Sequence, residues 1–235
     1  MQNYILYSDV DQQIIDEMAN QAPDVSKRLR AINSELNILQ AAYDLFDTVR
    51  KKTVSIITDG STAYNLATLV PDNDVKSIKG FLLPGTDNLF GGQFTYLDHP
   101  AFKTKYSAGV HSNYFTIYTE DGIQYLKVGS IGNSDTVESV DMLYFTTHKA
   151  LDENDDFIPE VINANDVKIL LPKRFTELVS LGALTRLHYP AVGEDQQATL
   201  KRFEKRYDGV KNILGLTVAS TPQRISRKVQ YRKLW

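Results

Sequence analysis

The sequence predicts an α+β fold: an antiparallel bundle of about four helices, an all-β domain inserted between the helix pairs, and an extended basic C-terminal arm. Three observations carry this. Apolar residues recur at helical spacing near both ends of the chain. The period shortens to two between residues 53 and 147. An acidic chain then finishes in TPQRISRKVQYRKLW, which holds five basic residues and no acid.

The first helix is expected at about Asp11–Ala19, with Ile14, Ile15 and Met18 as its apolar side. The second is the clearest element. Val25, Leu29, Ile32, Leu36, Leu39, Tyr43 and Phe46 are spaced 4, 3, 4, 3, 4, 3, one apolar stripe on a helix over 25–46. Asp24, following Pro23, suits its N-cap.

After Lys52 the pattern changes. KTVSIIT (52–58) reads as a strand, DGST (59–62) as a turn, AYNLATLV (63–70) as a second strand and DVKSIKGFLL (74–83) as a third, before the glycine-rich loop PGTDNLFGGQ. YFTIYTEDGIQYLKV (114–128) reads as a hairpin. Asp121-Gly122 suits a type I′ turn, whose two central residues need positive φ. Pairing outward sets Tyr118 opposite Tyr125, Ile117 opposite Leu126, Thr116 opposite Lys127 and Phe115 opposite Val128. Phe115, Ile117, Leu126 and Val128 then share one face, so turn and pattern agree on register. VESVDMLYFTTHKA (137–150) adds a strand. Residues 53–147 thus read as all-β.

Helical spacing returns in LPKRFTELVSLGALTRLHY (171–189), through Phe175, Leu178, Val179, Leu181 and Ala183, with Pro172 in a first turn that tolerates it. Pro190 ends that helix. EDQQATLKRFEKRYDGVKNILGL (194–216) presents Leu200, Phe203, Tyr207, Val210 and Leu214. The expected organisation is residues 1–52 as one helical half, 53–149 as the inserted β domain, 150–216 as a second helical half packing on the first, and 217–235 as the arm.

Composition narrows the chemistry. At 235 residues the chain can bury roughly 70–75 % of its unfolded surface without staples. It has no cysteine, which removes disulfides, thiolate metal sites and cysteine nucleophiles. MQNYILYSDVDQQ has neither the basic nor the apolar region of a signal peptide, and no apolar run approaches the roughly 20 residues of a membrane helix. A protein made in a cytosol, with no membrane partner, is expected. His99, His111, His148 and His188 lack metal-ligand spacing, and neither GxSxG nor HExxH occurs. GTDNLFGG lacks the Gly-Lys-Ser/Thr of a phosphate loop. Asp152, Asn154 and Asp156 match the start of a calcium loop, but Phe157 stands where glycine is required and Asn163 where the bidentate glutamate belongs. The reading is a protein that is not an enzyme and that needs no metal or cofactor.

The remaining signal is electrostatic. Residues 1–208 hold 20 bases and 29 acids, a charge of −9, whereas residues 209–235 hold six bases and no acid. The tail admits three readings: a solvated end, a nucleic-acid contact in which bases and aromatics track phosphates and stack, or an arm that orders on a protein partner. Arg224, Arg227, Lys228, Arg232 and Lys233 supply charge to such an arm, and Ile225, Val229, Tyr231, Leu234 and Trp235 supply apolar anchors.

Three stretches in order resemble a known family. They are the long helix with Asn33 in its middle followed by KTVSIITDGSTAYNL, the aromatic-rich insert closing in YFTTHKALDENDDFIPE, and LPKRFTELVSLGALTRLHY followed by a helix bearing Tyr207. Together they resemble the head-to-tail adaptor (head-completion, or neck) proteins of tailed bacteriophages over about residues 25–215. The resemblance implies a structural virion protein, assembled in the host cytoplasm and located in the neck. It implies a homo-oligomeric ring, usually of twelve copies, between the portal protein and tail or nozzle proteins. DNA would pass through its lumen without sequence-specific binding. It further implies that the C-terminal arm docks on the portal. Another tail or baseplate protein, or a nucleic-acid-binding protein using the tail, is the alternative.

Overall fold

The computed structural model describes residues 4–18, 21–42, 48–72, 74–107, 112–131, 135–189, 191 and 193–220, with side chains described to residue 213. In chain order the first elements are β1 (Tyr4–Leu6), α1 (Tyr7–Met18), α2 (Val25–Ala42), β2 (Val49–Ile56), β3 (Tyr64–Asn65), α3 (Leu66–Leu69) and β4 (Val75–Leu82). Then come β5 (Thr95–Tyr96), α4 (His99–Ser107), β6 (Tyr114–Glu120), β7 (Ile123–Gly129) and β8 (Glu138–Thr146). The last are β9 (Ala150–Leu151), β10 (Phe157–Ile158), β11 (Lys168–Pro172), α5 (Thr176–Leu187) and α6 (Glu194–Ser220). The chain divides into two compact units, one from residues 1–48 and 147–222 and the other from residues 49–146.

The expected fold class is corrected on both counts. The described residues form a mixed α/β protein with six helices and eleven strands in three sheets, not a helical bundle carrying an all-β insert. The first unit is built on a four-stranded antiparallel sheet ordered β1-β11-β9-β10. The second contains α3 and α4.

In the first unit α5 is the central helix, with Leu178, Val179, Leu181, Ala183 and Leu184 all at most 1 % exposed. It packs against α1, α2 and α6. α2 contributes Ile32, Leu36 and Leu39 from its predicted stripe, all buried, while Tyr43 and Phe46 lie outside the described residues. The sheet adds Ile5, Ala150, Ile169 and Leu171 to the same core. Leu171 and Pro172 were expected to open a helix, but they close strand β11. Proline cannot donate to a ladder. Pro172 is accommodated because the β1–β11 register shifts between Tyr4 and Ile5, beside its partner Tyr4. A single 3₁₀ turn, Lys173–Phe175, then leads into α5.

In the second unit β8 is the middle strand of the sheet β2-β8-β4, and a second sheet runs β3-β7-β6-β5. The hairpin has the register its turn dictates, with Phe115 opposite Val128 through Tyr118 opposite Tyr125. Asp121 (φ 51°) and Gly122 (φ 76°) take the left-handed conformations of a type I′ turn. Phe81 of β4, 1 % exposed, meets Phe94 and Phe115 edge-on at centroid distances of 5.1 and 5.8 Å.

Two expectations fail in this unit for local reasons. The strand expected over 63–70 shrinks to Tyr64–Asn65, because the Asn65 side chain accepts from the Ala67 N–H (2.9 Å) and starts α3. The all-β reading misses α4, which connects β5 to β6. Those strands are parallel, and a parallel pair needs a crossover rather than a tight turn. Asp98 accepts from the Ala101 N–H (2.8 Å) as its cap, and Phe102 is the residue it buries.

Candidate partner-binding site

Every residue assigned to the arm from sequence — Arg224, Ile225, Arg227, Lys228, Val229, Tyr231, Arg232, Lys233, Leu234 and Trp235 — lies outside the described residues. The structure describes the element that leads into it. α6 is continuous for 27 residues. Its first half packs through Phe203, 3 % exposed, and through the partly buried Tyr207 and Val210. Ile213 beyond them is exposed.

Two polar clusters fix this root. In the first, the Glu35 carboxylate of α2 is 1 % exposed. It accepts from the Tyr207 hydroxyl of α6 (2.5 Å) and from the Arg186 guanidinium of α5 (3.0 Å). A buried carboxylate without such partners would be strongly destabilising. The space for it exists because residue 182 is glycine: a Cβ there would stand 2.3 Å from Glu35 Cδ. In the second cluster Arg206 of α6 donates to Glu17 (2.7 Å) and Glu177 (2.9 Å). Those two carboxylates, Glu17 foremost, push the guanidinium's pKa further up. α6 is thereby tied to α1, α2 and α5 at once.

α2 organises the rest of the unit through polar side chains on its buried face. Arg28 forms a bidentate pair with Asp11 of α1 (2.7 and 2.9 Å) and donates to the Pro23 carbonyl (2.5 Å). Asn33, 8 % exposed, clasps one backbone residue: its amide donates to the Val161 carbonyl (2.9 Å) and its oxygen accepts from the Val161 N–H (2.8 Å). Gln40 donates to the His148 carbonyl (2.9 Å). The acidic loop between β9 and β10 is held from within. Asp152 accepts from the Asn154 and Asp156 N–H groups (2.8 and 2.9 Å), and Asp155 pairs with Lys168 (2.5 Å).

The surface of this unit carries two concavities, in which most of the charged groups are already ion-paired. One, of about 240 Å³, is rimmed by Asp16, Glu17, Glu177 and Arg206. The other, of about 640 Å³, is bordered by Lys27, Arg30 and Arg186 of α2 and α5, with Glu204 from α6.

The second unit buries carboxylates as well. Asp74, 1 % exposed, accepts from Arg50 (2.7 Å), the Tyr144 hydroxyl (3.2 Å) and the Thr146 hydroxyl. Burial first, and then Asp74, drive the Tyr144 phenol far above its ordinary pKa, so it stays protonated and donates to Asp74. Asp141, 2 % exposed, accepts from the Thr53 hydroxyl (2.6 Å) and the Gly85 N–H (3.0 Å), with Lys51 at 3.5 Å. Its pKa is lowered chiefly by the Thr53 hydrogen bond. Tyr106, donating to the Ser112 carbonyl (3.1 Å), is pushed up to about 12 by burial. These groups are committed to partners that build the unit. Among the described residues no group of three or more His, Cys, Asp or Glu side chains is arranged to hold a metal ion, and no helix is long and apolar enough to cross a membrane.

Glu35 carried a legible signal. It stands three residues after Ile32 and four before Leu39, so it falls on the buried face of α2. The apolar spacing of that stripe by itself assigns no role to the carboxylate among its residues. No family model and no curated protein matches the chain.

Proposed function

We propose that the chain is a structural virion protein, not an enzyme. It forms a ring that joins a phage portal to the tail, and its basic C-terminal arm docks on the portal. One observation supports this reading above others. Three of the residues that carry the family resemblance, Asn33, Gly182 and Tyr207, serve as ties of one unit rather than as scattered helix positions. Asn33 clasps Val161 just beyond the acidic loop, and Gly182 makes room for Glu35, which Tyr207 then binds. The contiguous residues 49–146 are inserted into that unit, and α6 leaves it toward the basic segment.

Function then follows from charge and anchoring. An acidic body repels the duplex it surrounds, which keeps a passing DNA from adhering. A basic arm with Trp235 at its end is steered to an acidic portal surface, and its aromatic and aliphatic residues supply the contact energy there.

The test compares the full chain with a chain lacking residues 221–235, using purified portal rings, co-sedimentation and negative-stain images. The truncated chain is expected to keep its circular dichroism spectrum and lose portal binding. Portal binding at the affinity of the full chain after truncation overturns the role of the arm.

A further inference from the structure

The contiguous unit has two unlike ends. The chain enters it at Val49, which faces Phe145, and leaves it at Thr146, so entry and exit share one end of the β2–β8 pair. β2, β4 and β7 finish at the other end, where β6 and β8 begin. That distal end shows four apolar side chains to water: Leu83 (41 % exposed), Leu89 (44 %), Ile131 (67 %) and Val137 (68 %). Single exposed apolar residues are ordinary, but a group of them at one end of a unit marks a contact surface.

The loops that bear them are held in place before any contact. Asn113, 7 % exposed, donates to the Gly91 carbonyl (2.5 Å) and accepts from the Ile131 N–H (3.0 Å), which fastens the loop after β4 to the loop after β7. Asp141 accepts from the Gly85 N–H (3.0 Å), and the Leu83 N–H donates to the Asn88 carbonyl (2.9 Å). A surface ordered in advance loses little entropy on docking. The same loops are acidic. Residues 80–98 and 128–141 hold five acids and no base. Asp98 caps α4 and Asp141 pairs with Lys51, but Asp87, Asp135 and Glu138 enter no ion pair among the described residues. Lys105, in the last turn of α4, offsets one of these charges.

An apolar surface set among unpaired acids fits a segment with apolar anchors, bases and no acid. Residues 221–235 have that composition, five bases together with Ile225, Val229, Tyr231, Leu234 and Trp235. They follow Ser220, the end of α6, and fully extended they reach about 50 Å. We infer that, while no portal is bound, the arm of one copy docks on this distal end of a second copy. This gives the arm an earlier site than the portal, and it rests on the reading above only in taking the arm for a docking element. The anchors supply the contact energy, and the charges steer the encounter. Arm and distal end are different surfaces, so the contact runs head-to-tail. One set of anchors cannot fill two sites at once, so portal and distal end compete for the arm.

Trp235 is the sole tryptophan, so its emission reports the arm alone. The full-length protein is diluted in steps at low ionic strength, and tryptophan emission and acrylamide quenching are followed. Blue-shifted, shielded emission is expected at high concentration, with a red shift and free quenching on dilution. Added salt should move the transition to higher concentration. Leu89→Ser/Val137→Ser and Asp87→Lys/Asp135→Lys change exposed positions. Each pair is expected to keep the parent circular dichroism spectrum and to raise the concentration for half shielding at least about tenfold. Trp235 quenched freely at every concentration, shielding that dilution does not alter, or shielding that neither pair of substitutions alters would each overturn the assignment. Shielding indifferent to both pairs, with portal capture lost on truncation, sinks this contact and leaves the portal reading standing. Shielding that both pairs weaken, with no portal capture by the full chain, does the reverse.

Discussion

The two units bury carboxylates by different routes. In the unit assembled from two separate stretches of chain, Glu35 takes its partners from 151 and 172 residues away, Arg186 and Tyr207. In the contiguous unit Asp74 and Asp141 find theirs no more than 90 residues off, on neighbouring strands and one loop. The first arrangement cannot form until the whole insert has been made, and loop closure must be met before the ion pair rewards it. The second draws only on its own stretch of chain. What differs is therefore the order in which each unit can complete itself: residues 49–146 have what they need before α5 and α6 exist.

That contrast can be broken at several points. The largest effect is expected from Phe81→Ala, which empties the centre of the Phe81–Phe94–Phe115 cluster and should cost about 4 kcal/mol. Amide exchange should show protection lost across β4, β6 and β8 while α2 and α5 keep theirs. Equal loss in the helices would mean that the units melt as one body, and the contrast would fail. Arg186→Leu comes next. It leaves the Glu35 carboxylate to the Tyr207 hydroxyl alone, at a cost of about 3 kcal/mol, read as exchange in α2, α5 and α6 only. Adding Glu35→Leu to that variant should recover most of the loss, because the pair is then replaced by apolar contact.

The smallest effect is expected from Asp141→Asn, and it carries a sign. The folded Asp141 carboxyl titrates below its ordinary 3.8 because Thr53 donates to it, so its stabilisation is present above about pH 4 and lost as pH falls through the lower folded value. The variant should therefore melt below the parent near neutral pH, and the gap in Tm should close as pH falls through that lowered folded value. A gap independent of pH would show that the carboxylate charge is irrelevant there.

How much of this was legible depended on distance along the chain. The 114–128 hairpin could be read residue by residue, since Asp121-Gly122 and the alternation on either side specify one register with no help from elsewhere. The stripe on α2 was readable for the same reason. Strand β11 was not. Lys168–Pro172 owes its conformation to β1 and β9, and β1 lies more than 160 residues upstream, so only the helical spacing that follows could be seen. α4 escaped because it buries Phe102 alone and so leaves no stripe, although the Asp98 cap followed by Pro100 was a usable mark. The fold class went wrong through these short strands and helices, each of which owes its form to a partner rather than to its own pattern. At the candidate site the tail announced itself by charge, while the ties that seat its helix had to be found from Glu35 outward.

α6 also acts as a ruler. From Tyr207, its last residue hydrogen-bonded to Glu35, to Ser220 the helix continues for 13 residues, roughly 20 Å at 1.5 Å per residue. Each residue added in that span turns the point of departure of the final segment by about 100° and advances it by 1.5 Å. Seven residues added there would lengthen the reach by about 10 Å while nearly preserving its bearing, whereas two would swing it to the far side. The length of this helix thus sets an address in angle as well as in distance, and insertions chosen by phase can read that address directly.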